Sequence, residues 1–313
     1  MISNKGIIMK QHFKALSLLL ALTASLTAEN IAQTTQEIRA FVLPKDTVSI
    51  RGTFKYINDT LDIFNLNKTV TNNDIYSALG NSSGIDFLFA YGAHQHISLY
   101  YNFEALNIDY AGDKLKNRKN DIFARVNFYD NPLNSFDDFS MDIGFVRNSS
   151  KALNPQLKDL SDNAYYLRFL LGSRFSSSLI NVYAGAKLSS IKTTLFNNEI
   201  NRNEKSLSLG LSHTVEFSKL LIDSNYEYIH MFGRASNLTD NKSNHILKLN
   251  LSRSINDDFL IFVGTKVMLN QFNGVIPYLY NTQTQSAFDK TYGQLKLGFV
   301  YNFNYSLPTR IIK

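Results

Sequence analysis

The sequence predicts an all-β fold: a transmembrane antiparallel up-and-down β-barrel of about twelve strands, with both termini on the same side. Three observations predict it. The chain opens with a segment that has the make-up of an export signal. It continues as stretches of about 10–13 residues that alternate apolar and polar. The connections between these stretches alternate long and short.

Residues 1–28 read as a signal peptide. Lys10 and Lys14 supply the positive start, Ala15–Ala24 the apolar centre, and Ala28 the small residue before the cut, with Leu26 a departure at the third position back. The apolar run is shorter than the ~20 residues a spanning helix needs. No later stretch approaches that length, so a chain that crosses a membrane here crosses it as a barrel. The expected organisation is 1–28 signal peptide, 29–46 a segment in the periplasm or the lumen mouth, 47–303 the barrel, and 304–313 a tail that Pro308 keeps from extending the ladder. The expected location is the outer membrane of a Gram-negative cell.

Composition narrows the functions. There is no cysteine, which excludes disulfides, thiolate metal sites, a cysteine nucleophile and a lipid-anchored lipoprotein. The net charge is +6; Lys5, Lys10 and Lys14 precede the expected cut and no acid precedes Glu29, which leaves about +3 in the mature chain. No dense Lys/Arg stripe is present, so no nucleic-acid partner is expected. The 17 Tyr and 23 Phe suit strands and interfacial belts.

The expected strands are 47–58, 83–93, 96–109, 118–129, 137–148, 163–175, 179–191, 204–217, 220–232, 244–254, 258–270 and 291–303. In the third, Ile97, Leu99, Tyr101 and Phe103 point one way, and Ser98, Tyr100, Asn102 and Glu104 the other. In the eighth, Leu207, Leu209, Leu211, Val215 and Phe217 oppose Ser206, Ser208, Gly210, Ser212 and Thr214. The long gaps are 59–82, 110–117, 149–162, 192–203, 233–243 and 271–290. The short ones are 94–95, 130–136, 176–178, 218–219 and 255–257, which puts both termini in the periplasm. A water-soluble sandwich or barrel also alternates, but it would carry scattered charge on its outside.

The last strand contains Lys296, Gly298, Tyr301 and Phe303 in the pattern polar, any, Gly, two of any kind, aromatic, any, aromatic. This resembles the β-signal of outer-membrane barrels, which implies the barrel-assembly machinery as a partner. Phe41-Val42-Leu43-Pro44-Lys45, then an alternating strand, then Asn58-Asp59-Thr60-Leu61-Asp62, is similar to outer-membrane transporters of the phenol-degradation (MetA-pathway) type. That resemblance covers about 25 residues and implies a transporter-like barrel.

Parity assigns the lumen. The inward positives are Arg51, Lys55, Arg125, Arg168, Arg174, Lys187, Lys248, Lys266 and Lys296; the inward negatives are Asp86, Glu104, Asp142, Glu216, Asp223 and Glu227. A charge facing lipid would cost roughly 2–4 kcal/mol at the midplane, so their shared face supports the register. Two readings stay open. Acids and bases pair across the lumen and plug it, or they line a narrow passage that favours anions. Within 59–82, the run Asn73–Leu79 has the pattern of a short helix and is the expected constriction.

Catalysis requires a nucleophile, a base and an orienting group within hydrogen-bond reach. His96-Ile97-Ser98 resembles the His-x-Ser of outer-membrane phospholipase A without its flanking glycine and asparagine pattern, and parity turns Ser98 inward. Ser243-Asn244-His245, with His230 expected opposite, faces outward at the external boundary. No third metal ligand joins the two histidines at fixed spacing. The expectation is therefore a non-enzymatic channel for small polar or anionic solutes, without metal or cofactor. Outer-membrane lipid and small solutes are its partners; a lipid hydrolase or a plugged structural or adhesive barrel is the alternative.

Overall fold

The computed structural model describes residues 39–58, 82–110, 113–130, 137–152, 160–175, 178–195, 198–232, 243–269, 280–281, 286–287 and 292–304. The expected signal peptide, the expected tail beyond Asn304 and the expected constriction at Asn73–Leu79 lie outside the described residues.

The strands are β1 (Thr47–Asn58), β2 (Ser82–His94), β3 (Ile97–Tyr110), β4 (Asp113–Asp130), β5 (Asp138–Ala152), β6 (Leu160–Phe175), β7 (Ser178–Leu195), β8 (Asn198–Phe217), β9 (Leu220–Phe232), β10 (Ser243–Ser254), β11 (Phe259–Leu269), β12 (Tyr280–Asn281), β13 (Ser286–Ala287) and β14 (Tyr292–Asn304). β1–β11 and β14 close a twelve-stranded barrel of antiparallel neighbours, sealed where β1 pairs with β14 from Thr47↔Asn304 to Asn58↔Gly293. β12 and β13 form a separate two-stranded ladder.

The wall has inverted polarity. Outward side chains are large and apolar: Leu209 is 58% and Leu297 59% exposed, with Phe87, Leu99, Ile122, Ile143, Tyr165 and Leu249 in the same belt. Inward positions on the same strands hold Asp86, Asn102, Arg125, Asp142, Asn181 and Ser212, all buried. Such an outer surface suits only a hydrocarbon solvent, which removes the water-soluble alternative.

The expected strict alternation of connection lengths does not hold. Tyr110↔Asp113 and Leu195↔Asn198 are ladder pairs, so the expected long gaps at 110–117 and 192–203 shrink to two residues each. On the opposite side, seven residues separate Asp130 from Asp138. β7 and β8 reach 18 and 20 residues, well beyond the ~9–11 that a bilayer span needs. Their outer parts are polar (Asn198–Ser206 reads NEINRNEKS), so the apolar alternation stops while the backbone ladder continues. Hydrogen bonding of the main chain does not depend on an apolar face. The barrel thus has a short-turn end, where β1 begins and β14 stops, and a far end where β4–β8 are longest.

The chain before β1 turns inward. Asp46 has φ 62°, in the left-handed region that Asp tolerates better than most residues. Thr47 N–H donates to Pro44 O at 3.1 Å and Asp46 N–H to Gly92 O at 2.8 Å, which fixes the turn against β2. Residues 39–46 then form a strap that enters the lumen at the short-turn end.

Candidate functional site

The strap crosses the lumen from β1 to the opposite wall at β7. Leu43 packs with Ala90, Tyr100 and Phe123; Ala40 with Leu170 and Tyr183; Phe41 with Leu179. Inward polar groups satisfy its main chain: Leu43 N–H donates to Ser98 Oγ at 2.7 Å, Ala40 N–H to Asn181 Oδ1 at 2.8 Å, and Ser140 Oγ donates to Ala40 O. A buried coil without such partners would strand its amides. Two glycines make room: a Cβ on Gly92 would collide with Pro44 O, and one on Gly172 would press on Ala40. The ring of Phe41 is flanked by the guanidinium carbons of Arg39 at 4.8 Å and Arg174 at 4.7 Å. Ser98, Arg125, Ser140, Asp142 and Asn181 are all 0% exposed, so the inward side chains at the level of the strap and just above it are closely packed.

The inward charges form clusters on the wall. Arg51 Nη2 lies 3.0 Å from Asp86 Oδ1, and Lys55 Nζ 3.0 Å from Asp86 Oδ2, with Lys55 also paired to Glu104. Arg125 grips Asp142 with two bonds, Nε–Oδ1 at 2.6 Å and Nη2–Oδ2 at 2.9 Å, while Arg168 Nε approaches Oδ2 at 3.7 Å. Lys187 meets Asp162 at 3.4 Å. Asp223 accepts from Thr214 Oγ1 at 2.8 Å, and Glu216 is buried beside this pair on β8. Pairing across the lumen is one of the two readings the sequence leaves open. These pairs instead stay on one stretch of wall, joining adjacent strands except for Lys55–Glu104, which reaches from β1 over β2 to β3, because strands ~4.8 Å apart are within reach whereas the far wall is not. What fills the centre is the strap and a set of aromatic rings. Tyr100 and Phe123 stack at 4.4 Å, and the Arg125 guanidinium sits 5.2 Å from the Tyr100 ring.

Arg174 stands apart from the deeper charges. It sits at the short-turn rim with its side chain 54% exposed, 3.6 Å from Asp138. Glu227, Lys248 and Lys266 lie on the other side of the barrel, toward the far end. With Lys119, Asp121, Asp162, Arg168, Lys187 and Glu204 they line a cavity of about 260 Å³. Parity reading missed Lys119 and Asp121, although they share the face of Phe123 and Arg125 on β4; counting back by twos from Arg125 finds both. Asp162 lay just outside the expected sixth strand, and Glu204 opened the eighth without being assigned a face.

The residues expected to form a β-signal lie on β14, which closes the barrel by pairing with both β1 and β11. Lys296 faces Lys55 across β1, and Gly298 faces Thr53. Tyr301 and Phe303 point outward with their rings 4.5 Å apart.

The Ser/His pairs fall as follows. Ser98 is committed to the strap, and His96 sits exposed in the β2–β3 turn, 3.2 Å from Gln95 Nε2. Ser243 is the ladder partner of His230 on the outward face, and His245 Nδ1 lies 2.7 Å from Tyr226 Oη. His213 points outward near the short-turn end of β8, with no break of register there. Among the described residues, no group of three or more His, Asp or Glu has a metal-binding arrangement.

No family model matches the chain, and no curated protein matches its sequence. Solved structures do match. The translocator domain of the autotransporter NalP from Neisseria meningitidis aligns with a TM-score of 0.51 at 9% identity, over 94% of this chain and 97% of that one. An outer membrane channel from Pseudomonas putida F1 aligns at 0.49 and 7% identity, over 86% and 100%. The NanC porin aligns at 0.47 and 7%, over 81% and 98%. At 9% identity the likeness to the first of these speaks to the fold alone, an outer-membrane kind of barrel, in keeping with the closed twelve-stranded antiparallel barrel seen here.

Proposed function

We propose that the protein is an outer-membrane channel for small polar and anionic solutes, closed in this conformation by its own N-terminal strap. The observation that carries the reading is the cavity toward the far end, which has charged walls and lies above a lumen filled by a strap of non-regular backbone and the rings packed on it. Five cations and four carboxylates line it, so its fixed charge favours anions mildly. The residues that resemble phenol-degradation transporters, Phe41–Lys45, belong to the strap, which supports a transport role over a purely structural one. The short-turn end lies in the periplasm in this reading. Outer-membrane lipid, the barrel-assembly machinery and small solutes are the partners. The reading is non-enzymatic, since Ser98 holds the strap and His245 faces a tyrosine hydroxyl.

Planar-bilayer recording tests it. The full chain is expected to show a small unitary conductance with chloride favoured over potassium, the preference fading as salt rises. Silence from both the full chain and a form lacking the strap would show a plugged structural barrel instead.

The assembly role of β14 has its own test. Replacing Tyr301 and Phe303 together with serine is expected to reduce, severalfold, the amount of heat-modifiable barrel in outer-membrane fractions. An unchanged yield would remove the β-signal assignment.

A further inference from the structure

The inward lysines divide into two kinds. Lys55 and Lys187 are held by carboxylates on neighbouring strands. Lys248 and Lys266 are not: neither has an ion pair among the described residues, yet each is the other's ladder partner across β10 and β11. Like charges directly opposite in a sheet destabilise it. Glu104, whose field reaches Lys266, is already held by Lys55.

The register extends this pair into a row. Lys248 is flanked by Asn225 on β9, and Lys266 by Gln294 on β14. All four side chains face inward along one ladder row, so the two ammonium groups stand side by side between Asn225, whose amide donates to Leu211 O at 3.4 Å, and Gln294. Beside the row, Ile229 and Ile246 give the cavity an apolar flank. Glu227, the ladder partner of Ile246, stands one step up from Lys248 and disfavours a second negative group there. A volume of about 260 Å³ lies below the ~300–1,000 Å³ usual for ligand pockets, which limits the occupant to a small molecule.

We infer that Lys248 and Lys266 form a binding site for a small monocarboxylate, its carboxylate between the two ammonium groups and its apolar body against Ile229 and Ile246. The inference rests on the channel reading and names the solute class that this cavity selects. The bound carboxylate cancels the repulsion within the pair.

Calorimetric titration of the full chain in detergent micelles with butanoate, and with butanamide as the neutral isostere, tests the site without relying on conductance. Saturable butanoate binding in the millimolar range is expected. Butanamide should give none, and added chloride should weaken the binding. Lys248→Gln with Lys266→Gln should weaken it at least tenfold, with heat-modifiable migration showing that the barrel is formed. If the double variant fails to form a barrel, Lys266→Gln alone and the chloride series in the parent decide. Equal binding of butanamide, or butanoate binding indifferent to these variants and to chloride, overturns the site. Butanoate binding without conductance from either the full chain or the strap-less form sinks the channel reading and leaves the site standing. Conductance without butanoate binding does the reverse.

Discussion

Removing residues 39–43 is expected to raise unitary conductance severalfold. The strap spans the lumen from the β1–β2 edge to β7. Its loss would return Ser98, Ser140 and Asn181 to water, since each now spends a hydrogen bond on the strap. The deletion should also lower the temperature at which the barrel unfolds on gels. Leu43 and Phe41 are 4% and 7% exposed, and burying each such side chain is worth about 1.5–3 kcal/mol. Gly92→Val tests the same point without shortening the chain. Its side chain would occupy the place of the Pro44 carbonyl, so the strap must shift and conductance should move in the same direction. Unchanged conductance in both variants would mean that closure lies elsewhere.

Arg125→Leu is expected to destabilise the barrel by about 3–5 kcal/mol, the usual cost of leaving one partner of a buried ion pair behind. Both Arg125 and Asp142 are 0% exposed. After the change, Asp142 keeps only Arg168, at 3.7 Å and without the two-pronged geometry. The guanidinium also leaves the Tyr100–Phe123 stack it lies against. Urea unfolding in lipid vesicles is the measurement. Adding Asp142→Leu to Arg125→Leu should recover much of the loss, since no charge is then stranded. A single variant as stable as the parent would show that the pair does not hold the wall together.

The wall was largely legible in the sequence, and what fills the barrel was not. A strand between lipid and lumen must alternate, so parity alone places Arg51, Asp86, Arg125 and Asp142 on one face and Leu99, Ile122 and Leu209 on the other. The alternation fades where β4, β7 and β8 rise past the membrane, because both faces there meet water. Those strand ends therefore read as loops. The strap has no period: Phe41, Leu43 and Ala40 bury against three different patches of wall, and no spacing rule links them. Its only sequence trace is an apolar run between Arg39 and Lys45 ahead of the first strand. Which charges pair along the wall was not legible, because parity says which side chains share a face, but not which of them are neighbours. Register supplies that second fact. It also brings Lys248 and Lys266 together, 18 residues apart in the chain.

The outward row of β8 carries a last consequence, for the membrane this barrel can inhabit. Its apolar side chains begin at Leu207 and end at Phe217, with half-buried His213 among them; Lys205 and Lys219, both exposed, stand just beyond. Ten residue steps at ~3.3 Å along a strand tilted by ~40° give a hydrophobic height of about 25 Å. That matches a thin bilayer. In one a few ångströms thicker, either the lipid must thin around the wall or an ammonium must snorkel back to the headgroups. Hydrophobic mismatch would therefore sort this protein away from thicker membranes. The prospective sorting signal is the distance between two lysines rather than any peptide motif.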